Sequence, residues 1–323
     1  MLTNVIYTED LTIDYPFTES QFNDIIQALY ERNGQLLKKL FDSIKDNTYI
    51  IMNHTPKAQK KATEAFHYNK EILETISYKI SFDNHPNRYN KAGKIKSLNI
   101  EQACLIHALK RSEDISIISA SGRFGSGKSF LLMNYALNAL ENGEVMRIAY
   151  MPNNAETEGA KKTGFKPGDT IEKEMPFMRT FIDIIGSYEK FASLIMQDKL
   201  EIFELSSVRG RNFDNTIVYI NEAQNISAKH IMLLLSRCGK NSRVFFDGDI
   251  DQVDVNGFKG IHNGLELLSH LSTHEKYRNM FTSVELIDIE RSEVAKATAF
   301  LQETYKRIQY ETIQYKNNKR KEE

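Results

Sequence analysis

A glycine-rich stretch that ends in a lysine and a serine has the most clearly defined chemistry in this sequence. Gly122, Gly127, Lys128 and Ser129 fit the spacing G-x-x-x-x-G-K-[ST], and Gly125 adds a glycine inside it. Glycines let the backbone fold around phosphate groups with its N–H groups pointing inward, and a following helix adds its positive end. The pattern predicts a phosphate-binding loop; the alternative is a glycine-rich turn that holds no ligand.

The side chains of this loop have distinct expected roles. Lys128 should reach the β- and γ-phosphates of a nucleotide, and Ser129 should ligate Mg²⁺, so we expect ATP and Mg²⁺ as ligands. An apolar run precedes the loop and a helix-compatible run follows it, as the motif requires. The residues expected to bind the nucleotide here are Gly122, Arg123, Phe124, Gly125, Ser126, Gly127, Lys128, Ser129 and Phe130.

A second apolar run ends in polar residues that could serve a metal ion and a water molecule. The run Ile217–Ile220 is followed by Asn221 and Glu222. An aspartate usually stands first in such a pair, and Asn221 has nearly its shape without its charge, which should lower metal affinity. Glu222 is the candidate general base that orients the attacking water. We expect Ser129, Asn221 and Glu222 to form the metal site; the alternative is a buried strand with a polar end.

A third apolar run ends in Asp247, Gly248 and Asp249, and Gln252 follows. A side-chain amide in this place can sense the γ-phosphate and couple its loss to movement. The G-D-x-x-Q string is a weak signal alone and gains meaning from its position after a predicted strand. We therefore expect Gln252 to be a catalytic residue together with Lys128 and Glu222.

Alternating strands and helices must position these groups. After residue 97, short β-branched runs are separated by helical segments such as Ser129–Leu140 and Ala228–Arg237. This order predicts an α/β fold with a parallel sheet flanked by helices on both faces. The predicted strands are Ile115–Ala120, Val145–Met151, Leu200–Leu205, Thr216–Asn221, Arg243–Asp247 and Ser283–Ile287.

The first 80 residues give a mainly helical prediction. Thr18 and Gln21 have capping-box spacing, and apolar residues at helical period over Phe22–Ile44 predict one long amphipathic helix. A short strand is expected at Thr48–Met52. Thr55, which precedes a proline, marks the start of another helix. That helix would carry Ala62, Ala65, Phe66, Ile72, Leu73 and Ile76.

Composition shifts divide the chain into three predicted parts. Residues 81–97 contain proline, glycine and several Asn and Lys with little periodicity, which is typical of a linker. We predict a mainly helical N-terminal domain of unknown role over residues 1–90, a nucleotide-binding domain over 97–310 and a charged tail over 311–323.

The overall composition excludes several classes of protein. The 323 residues carry a net charge of −1 and a pI near 6.7, which does not indicate a strongly basic nucleic-acid binder and does not exclude a local basic groove. The two cysteines, Cys104 and Cys238, lack metal-ligand spacing, so we expect a reducing cytoplasm and no disulfide scaffold. No apolar run approaches the length of a membrane span, and Met1–Thr12 is unlike a signal peptide, so no membrane association is expected.

Four motifs in the second part of the chain carry a family resemblance. Gly159–Asp169 fits the pattern G-x-x-x-x-G-F-x-P-G-D, and Arg209–Arg211 is an R-G-R string. Asn221–Asn225 fits D-E-A-Q-N apart from its first residue, and Arg237–Asp254 fits an R-x-G run that ends in G-D-x-x-Q-x-D. Together they resemble the PhoH-like family of P-loop NTPases, which is related to the first motor domain of superfamily 1 helicases. The resemblance covers about residues 97–305.

The resemblance implies a RecA-like sheet and ATP hydrolysis coupled to the handling of RNA or single-stranded DNA. It implies that Gln102 contacts adenine, and that Arg211 and Arg291 act on the γ-phosphate, one of them from a neighbouring subunit. It further implies a homo-oligomeric ring such as a hexamer, in a bacterium or in a host cell infected by a phage. The catalytic residues expected on all grounds are Lys128, Glu222, Gln252, Arg211 and Arg291.

Two departures from the family pattern keep other functions open. Asn221 stands where the family has aspartate, and Tyr150–Pro152 stands where it has T-R-P, which puts fast hydrolysis and one nucleic-acid contact in question. A basic groove could be lined by Lys161, Lys162 and Lys166, although a solvated face is the simpler interpretation. The alternatives are an ATP-dependent switch that hydrolyses slowly and binds a protein partner, and a small-molecule kinase, which the G-D-x-x-Q element argues against.

Overall fold

The computed structural model describes residues 4–52, 64–84, 93–152, 178–249 apart from 180, 263–290 and scattered positions between 293 and 308. The strands are β1 (Val5–Tyr7), β2 (Thr48–Ile51), β3 (Glu64–Asn69), β4 (Ile72–Ser77), β5 (Ser81–Asp83), β6 (Lys94–Lys96), β7 (Ile117–Gly122), β8 (Arg147–Pro152), β9 (Leu200–Ile202), β10 (Thr216–Asn221), β11 (Arg243–Gly248) and β12 (Phe281–Leu286). The helices are α1 (Glu19–Tyr30), α2 (Gly34–Leu40), α3 (Ile100–Lys110) and α4 (Lys128–Glu141), with later ones at Tyr188–Met196, Ala228–Leu235 and Gly264–Ser269.

A six-stranded parallel sheet organises the region after residue 97. Its strand order is β12-β7-β11-β10-β8-β9, so β7, which leads into the glycine-rich loop, lies between β12 and β11. Every pairing in this sheet is parallel. The parallel sheet, flanked by helices, is the RecA-like P-loop NTPase architecture that the sequence predicts.

Both faces of this sheet are buried, which explains the nearly unbroken apolar runs of its strands. Successive side chains of a strand point to opposite faces. On β10, Ile217 and Tyr219 join the core that α3 and α4 cover, whereas Val218 and Ile220 join the core under Ala228–Leu235 and Gly264–Ser269. Alternate residues of each central strand therefore hold two helical layers, and the polar residues that end the strands gather at one edge.

The predicted strands after residue 97 are confirmed with small shifts of their ends. β10 has the predicted bounds Thr216–Asn221, and β12 begins two residues before the predicted Ser283. The strand predicted at Leu200–Leu205 ends at Ile202, and Leu205–Ser207 forms a 3₁₀ turn instead. The two predicted helices are present as α4 and Ala228–Leu235.

The N-terminal region contains a four-stranded sheet, so the prediction of a mainly helical region is wrong. The sheet has the order β1-β2-β3-β4, with β1 parallel to β2 and the other pairs antiparallel. β3 and β4 occupy residues that were predicted to continue a helix from Thr55, which itself lies outside the described residues. They are joined by a two-residue turn in which Lys70 and Glu71 have positive φ angles of 48° and 62°.

That turn explains why the sequence pattern misleads. A turn with two positive φ angles usually carries Asn-Gly or Asp-Gly, and Lys-Glu gives no such signal. The turn is instead held from outside, because the backbone N–H of Lys70 donates to Oδ1 of Asp46 at 2.8 Å.

The single long helix predicted over Phe22–Ile44 is also corrected. The capping box at Thr18 and Gln21 is present and starts α1, as predicted. α1 ends before Arg32, whose φ is 54°, and Asn33 then caps α2 through Oδ1, which accepts from the N–H of Leu36 at 3.0 Å. Asn33 thus separates α1 from α2, although the apolar residues continue at helical spacing on both sides of it.

The N-terminal sheet packs directly on the parallel sheet. The N–H of Asn4 donates to the carbonyl oxygen of Ser283 at 2.7 Å, and the side-chain amide of Asn47 donates to carbonyl oxygens just before and within β12. Val5, Tyr49 and Ile51 share one apolar core with α3 and α4. The predicted linker 81–97 contains β5 and β6, which pair as antiparallel strands. Residues 85–92 between them lie outside the described residues. The proposed tail 311–323 also lies outside the described residues.

Candidate nucleotide-binding site

The glycine-rich loop connects the end of β7 to the start of α4. Gly122 has a φ of 121° and Gly127 a φ of 95°, values that other residues rarely adopt. A Cβ atom on Gly122 would lie 2.1 Å from the carbonyl oxygen of Leu286 in β12, and one on Gly127 would lie 2.9 Å from Nε2 of Gln102. The positive φ angles therefore favour glycine at both positions, and the backbone of β12 leaves no room for a Cβ atom at Gly122.

Lys128, the first residue of α4, folds back over this loop. Its ammonium group donates to the carbonyl oxygens of Gly122 at 2.6 Å and Arg123 at 2.8 Å. Inside the loop, Oγ of Ser126 also donates to the carbonyl of Arg123 at 2.8 Å. The positive charge is thus held at the mouth of the loop and at the N-terminus of a helix, where an anion would bind.

A cavity of about 860 Å³ opens over the loop. Its volume is within the range of small-molecule sites. Polar and charged groups line it together with the apolar side chains of Leu98, Phe124 and Phe130. The lining residues are Lys94, Ile95, Lys96, Leu98, Gln102, Phe124, Gly125, Gly127, Lys128, Ser129, Phe130, Leu131, Asp183, Ile184, Glu222, Asp247, Gly248, Asp249 and Glu290.

Asp247, at the end of β11, is the centre of a hydrogen-bond cluster beside the loop. Its carboxylate accepts from Oγ of Ser129 at 2.5 Å, from the hydroxyl of Tyr219 at 2.6 Å and from the N–H of Glu222 at 2.9 Å. The side-chain amide of Asn221 lies 2.8 and 3.1 Å from its two oxygens. This role of Asp247 is not predicted from the sequence, in which the residue only ends an apolar run. The signal in the sequence is a carboxylate directly after the apolar run Val244–Phe246.

Two buried tyrosines support the cluster. Burial, followed by the charge of Asp247, raises the pKa of Tyr219 well above its ordinary value, so its hydroxyl stays protonated and donates. Burial and the charges of Asp247 and Glu222 also raise the pKa of Tyr150. The Tyr150 hydroxyl donates to Oδ1 of Asn221 at 3.2 Å, which turns the amide nitrogen of Asn221 toward Asp247.

Glu222 stands at the edge of the cavity in a strained backbone conformation. Its φ is 52° and its ψ is 45°, in the left-handed region. Such a conformation in a residue other than glycine costs about 1–2 kcal/mol and is found at functional sites. Oε2 of Glu222 accepts from Nε2 of Gln224 at 2.7 Å. The side chain is therefore oriented within a cavity that also contains Lys128.

The oxygen atoms beside the loop are of the kind that bind Mg²⁺. The hydroxyl of Ser129 and the carboxylate of Asp247 are in direct contact, and Asp247 is 1% exposed. Hydroxyl and carboxylate oxygens are the ligands that Mg²⁺ prefers, with substrate phosphates and water completing its shell. The amide oxygen of Asn221 faces Tyr150 instead.

Gln102, on α3, lies under the loop and bonds to its backbone. Its Nε2 donates to the carbonyl oxygen of Ser126 at 2.9 Å, and its Oε1 accepts from the N–H of Leu98 at 2.9 Å. Asn99 caps α3 and donates to Oε1 of Glu290 at 2.8 Å, while the N–H of Glu290 donates to the carbonyl of Gly125 at 3.0 Å. Glu290, which sequence reasoning did not single out, thus connects the loop to the chain after β12.

The structure does not bring Arg211 to the cavity. Its guanidinium pairs with Glu201, donates through Nε to the carbonyl of Ser207 at 2.8 Å and lies over the ring of Phe203. Gln252 and Arg291, and the motif over 159–169 with Lys161, Lys162 and Lys166, lie outside the described residues. None of the helices within the described ranges is long and apolar enough to cross a membrane.

Comparison with known proteins matches residues 94–303 to the family model described as PhoH-like protein. A PhoH-like protein of Bacillus subtilis is 25% identical over 269 residues, which are 81% of this chain and 76% of that protein. Protein PhoH of Escherichia coli K12 is 33% identical over 165 residues, which are 50% of this chain and 46% of that protein. The chain thus spans less than half of the Escherichia coli relative. A crystal structure of Pif1 helicase from Candida albicans matches with a TM-score of 0.31 and 14% identity, over 59% of this chain and 40% of that one.

Proposed function

The chain belongs to the PhoH-like protein family, and we propose that this P-loop NTPase binds ATP with Mg²⁺ and hydrolyses it. One observation carries the proposal: Lys128 and Ser129 of the glycine-rich loop line the same cavity as Glu222. A cation that can bind phosphate, a ligand for a metal ion and an acidic group therefore surround one cavity. Hydrolysis of a phosphoanhydride needs these three groups.

Binding would exchange one set of contacts of Lys128 for another. Its ammonium now donates to the carbonyls of Gly122 and Arg123, and a triphosphate would offer charged oxygens in their place. The base would lie against apolar side chains of the cavity, for which Leu98, Phe124 and Phe130 are available. Mg²⁺, held at the oxygen donors beside Ser129, would neutralise charge on the β- and γ-phosphates.

Glu222 is the group we assign to the attacking water. Its carboxylate is oriented by Gln224, and its backbone is fixed by the bond from its N–H to Asp247. A general base must be within hydrogen-bond reach of the water that it deprotonates, and this one projects into the cavity. The φ angle of Glu222 is strained, and strained backbone conformations cluster at active sites, which supports a catalytic role for this residue.

Coupling of hydrolysis to RNA or single-stranded DNA, in a helicase-like manner, is the further part of the proposal. Its support is membership of the family, together with motifs that lie outside the described residues. A homo-oligomeric ring would give Arg211 a role, since it could leave Glu201 to reach the nucleotide of a neighbouring subunit. We further propose that the protein works in the cytoplasm, as its two free cysteines suggest.

The second candidate is an ATP-dependent switch that binds a protein partner and hydrolyses slowly. The neutral Asn221 favours it, because the usual acidic residue is missing from the end of β10. The carboxylate of Asp247 favours the ATPase, because it places a negative charge directly beside the neutral Asn221 at the end of β10.

Phosphate release from ATP separates these functions. It should be measured with Mg²⁺, with and without single-stranded RNA or DNA, at low and high salt. Lys128→Ala should weaken ATP binding about 10- to 100-fold, because hydrogen bonds to charged groups contribute about 1.5–3 kcal/mol. Lys229→Ala, at an exposed helical position, is the matched control.

Turnover that nucleic acid stimulates and that needs Lys128 would support the coupled ATPase. Tight binding with negligible turnover under every condition would favour the switch. Equal ATP binding by the native protein and Lys128→Ala would refute the site itself.

A further inference from the structure

The acidic group that the end of β10 lacks is present on the neighbouring strand. β10 and β11 are parallel neighbours, and their register pairs Ile220 with Phe246. The next residue on each strand is therefore Asn221 on one and Asp247 on the other. Their side chains meet, with the amide nitrogen of Asn221 at 2.8 Å from Oδ1 of Asp247. A carboxylate and its amide partner thus stand side by side at the metal side of the loop.

The orientation of Asn221 shows which of the two residues can serve a cation. Only its NH₂ group can face both carboxylate oxygens of Asp247, since its own oxygen would be repelled there. That oxygen accepts from the Tyr150 hydroxyl instead. Asn221 therefore orients Asp247, and the negatively charged oxygens next to Ser129 belong to Asp247.

The charge of Asp247 is met by hydrogen bonds alone within the described part of the chain. Its partners there are two hydroxyls, one amide and one backbone N–H, and no ion pair between described residues includes it. This carboxylate is 1% exposed, and hydrogen bonds stabilise its negative charge without an ion pair between described residues. A divalent cation at Ser129 would neutralise this charge in place of a salt bridge.

We propose that Asp247 supplies the carboxylate of the Mg²⁺ site that Asn221 cannot, and that Asn221 has become its positioning residue. The inference rests on the proposed function, because it assigns a residue to the cation of that same site. In this arrangement the amide side chain ends β10 and the carboxylate stands beside it on β11.

The reciprocal exchange tests this assignment. ATP affinity should be measured by calorimetry with Mg²⁺ and with a chelator, for the native chain, Asp247→Asn and the double variant Asn221→Asp with Asp247→Asn. Mn²⁺ bound with ADP, detected by electron paramagnetic resonance, gives a second readout that needs no turnover. Asp249→Asn is the comparison variant, because Asp249 lines the same cavity two residues further along the chain.

We expect Asp247→Asn to weaken the metal-dependent part of ATP binding by about 10- to 100-fold. Without metal, this variant should bind ATP as tightly as the native chain or more tightly, because a negative charge near the phosphates is gone. A merely structural role would weaken binding under both conditions. The double variant should regain the dependence on metal, since it returns the carboxylate to β10.

Three outcomes would overturn the assignment. ATP binding by Asp247→Asn could still depend on metal, or Asp249→Asn could lose this dependence instead. The double variant could also fold and bind ATP without any dependence on metal. If Asp247→Asn does not fold, the double variant and the native Mn²⁺ spectrum decide. Failure of the proposed function looks different, because the native chain would then bind ATP no better than Lys128→Ala, with or without metal.

Discussion

Replacing Gln102 by methionine tests how the glycine-rich loop is held in place. Methionine keeps the length and the apolar part of the side chain but removes both ends of the amide. The amide donates to the carbonyl of Ser126 and accepts from the N–H of Leu98, each at 2.9 Å. Gln102 is 3% exposed, so water cannot easily replace either bond. The perturbation therefore acts on the shape of the loop and leaves Lys128 and Ser129 chemically unchanged.

The size of the effect follows from these two hydrogen bonds. Each contributes about 1 kcal/mol net, and a buried group left without a partner costs about 1–3 kcal/mol. We expect a total loss of about 2 kcal/mol or more, divided between folding stability and nucleotide affinity. Where the folded loop loses its shape, about 2 kcal/mol corresponds to about 30-fold weaker binding.

The choice of nucleotide separates a loop support from a contact with adenine. Affinities for ATP, GTP and inorganic triphosphate should be measured by calorimetry for the native chain and for Gln102→Met. A support for the loop predicts the same fold-loss for all three ligands. The control is Gln197→Met, a change of the same kind at an exposed position far along the chain.

A result confined to ATP would refute this reasoning. If Gln102→Met weakened ATP binding and left GTP and triphosphate unaffected, Gln102 would be reading adenine, as the family resemblance implies. Unchanged affinity together with unchanged unfolding free energy would show that neither hydrogen bond matters.

Three further predictions concern the base, the loop backbone and the buried histidines. Glu222→Gln should keep ATP binding and reduce phosphate release by about 10²- to 10⁴-fold; release at the native rate would disprove its role as the base. Gly122→Ala should lower the urea midpoint of unfolding more than Gly143→Ala, because both positions have positive φ but only Gly122 has a backbone oxygen at 2.1 Å from the added Cβ. Burial lowers the pKa of His67 to about 2 and of His107 to about 4, whereas the unfolded chain takes up these protons near pH 6.5. The unfolding free energy should therefore fall as pH drops from 6.5 toward 4, by at most about 1.4 kcal/mol per pH unit for each histidine, and urea titrations that agree at pH 7 and pH 5 would contradict this.

The histidine prediction depends on groups that several elements bring together. His67 on β3 lies near Glu74 on β4 and His107 on α3, and Arg111 pairs with Glu74 at 2.9 Å. Glu74 raises the pKa of His107, but burial is the larger cause and acts in the opposite direction. The protons are therefore taken up on unfolding, and stability falls with falling pH. Replacement of His270, which is exposed, should leave the slope unchanged.

The parts of the site that could be predicted from the sequence are those built by consecutive residues. The loop from Gly122 to Ser129 needs only its own glycines and the strand and helix on either side, and these are visible as an apolar run and a helical period. β10 was predicted with its observed ends because a strand buried on both faces is apolar throughout. The capping box that starts α1 could also be predicted, because it involves only Thr18 and Gln21, which are close in sequence.

The N-terminal region shows where periodicity alone misleads. Ala65, Phe66, Ile72, Leu73 and Ile76 fit a helical period, yet they lie on two strands. The turn at Lys70 and Glu71 has no glycine or asparagine to announce it, and it is stabilised by Asp46, which is distant in sequence. Strand pairing across such a turn is a tertiary choice that no local window contains.

By itself, the sequence determined the family, the parallel sheet and the loop that would hold phosphates, because each depends on residues that are adjacent in the chain or on the period of apolar residues. Only the tertiary structure decided that Asp247 lies against Ser129, and that Gln102 supports the loop from below. It also decided that Arg211 pairs with Glu201 outside the cavity. Ser129 and Asp247 are 118 residues apart, and the order of strands in the sheet is what brings them into contact.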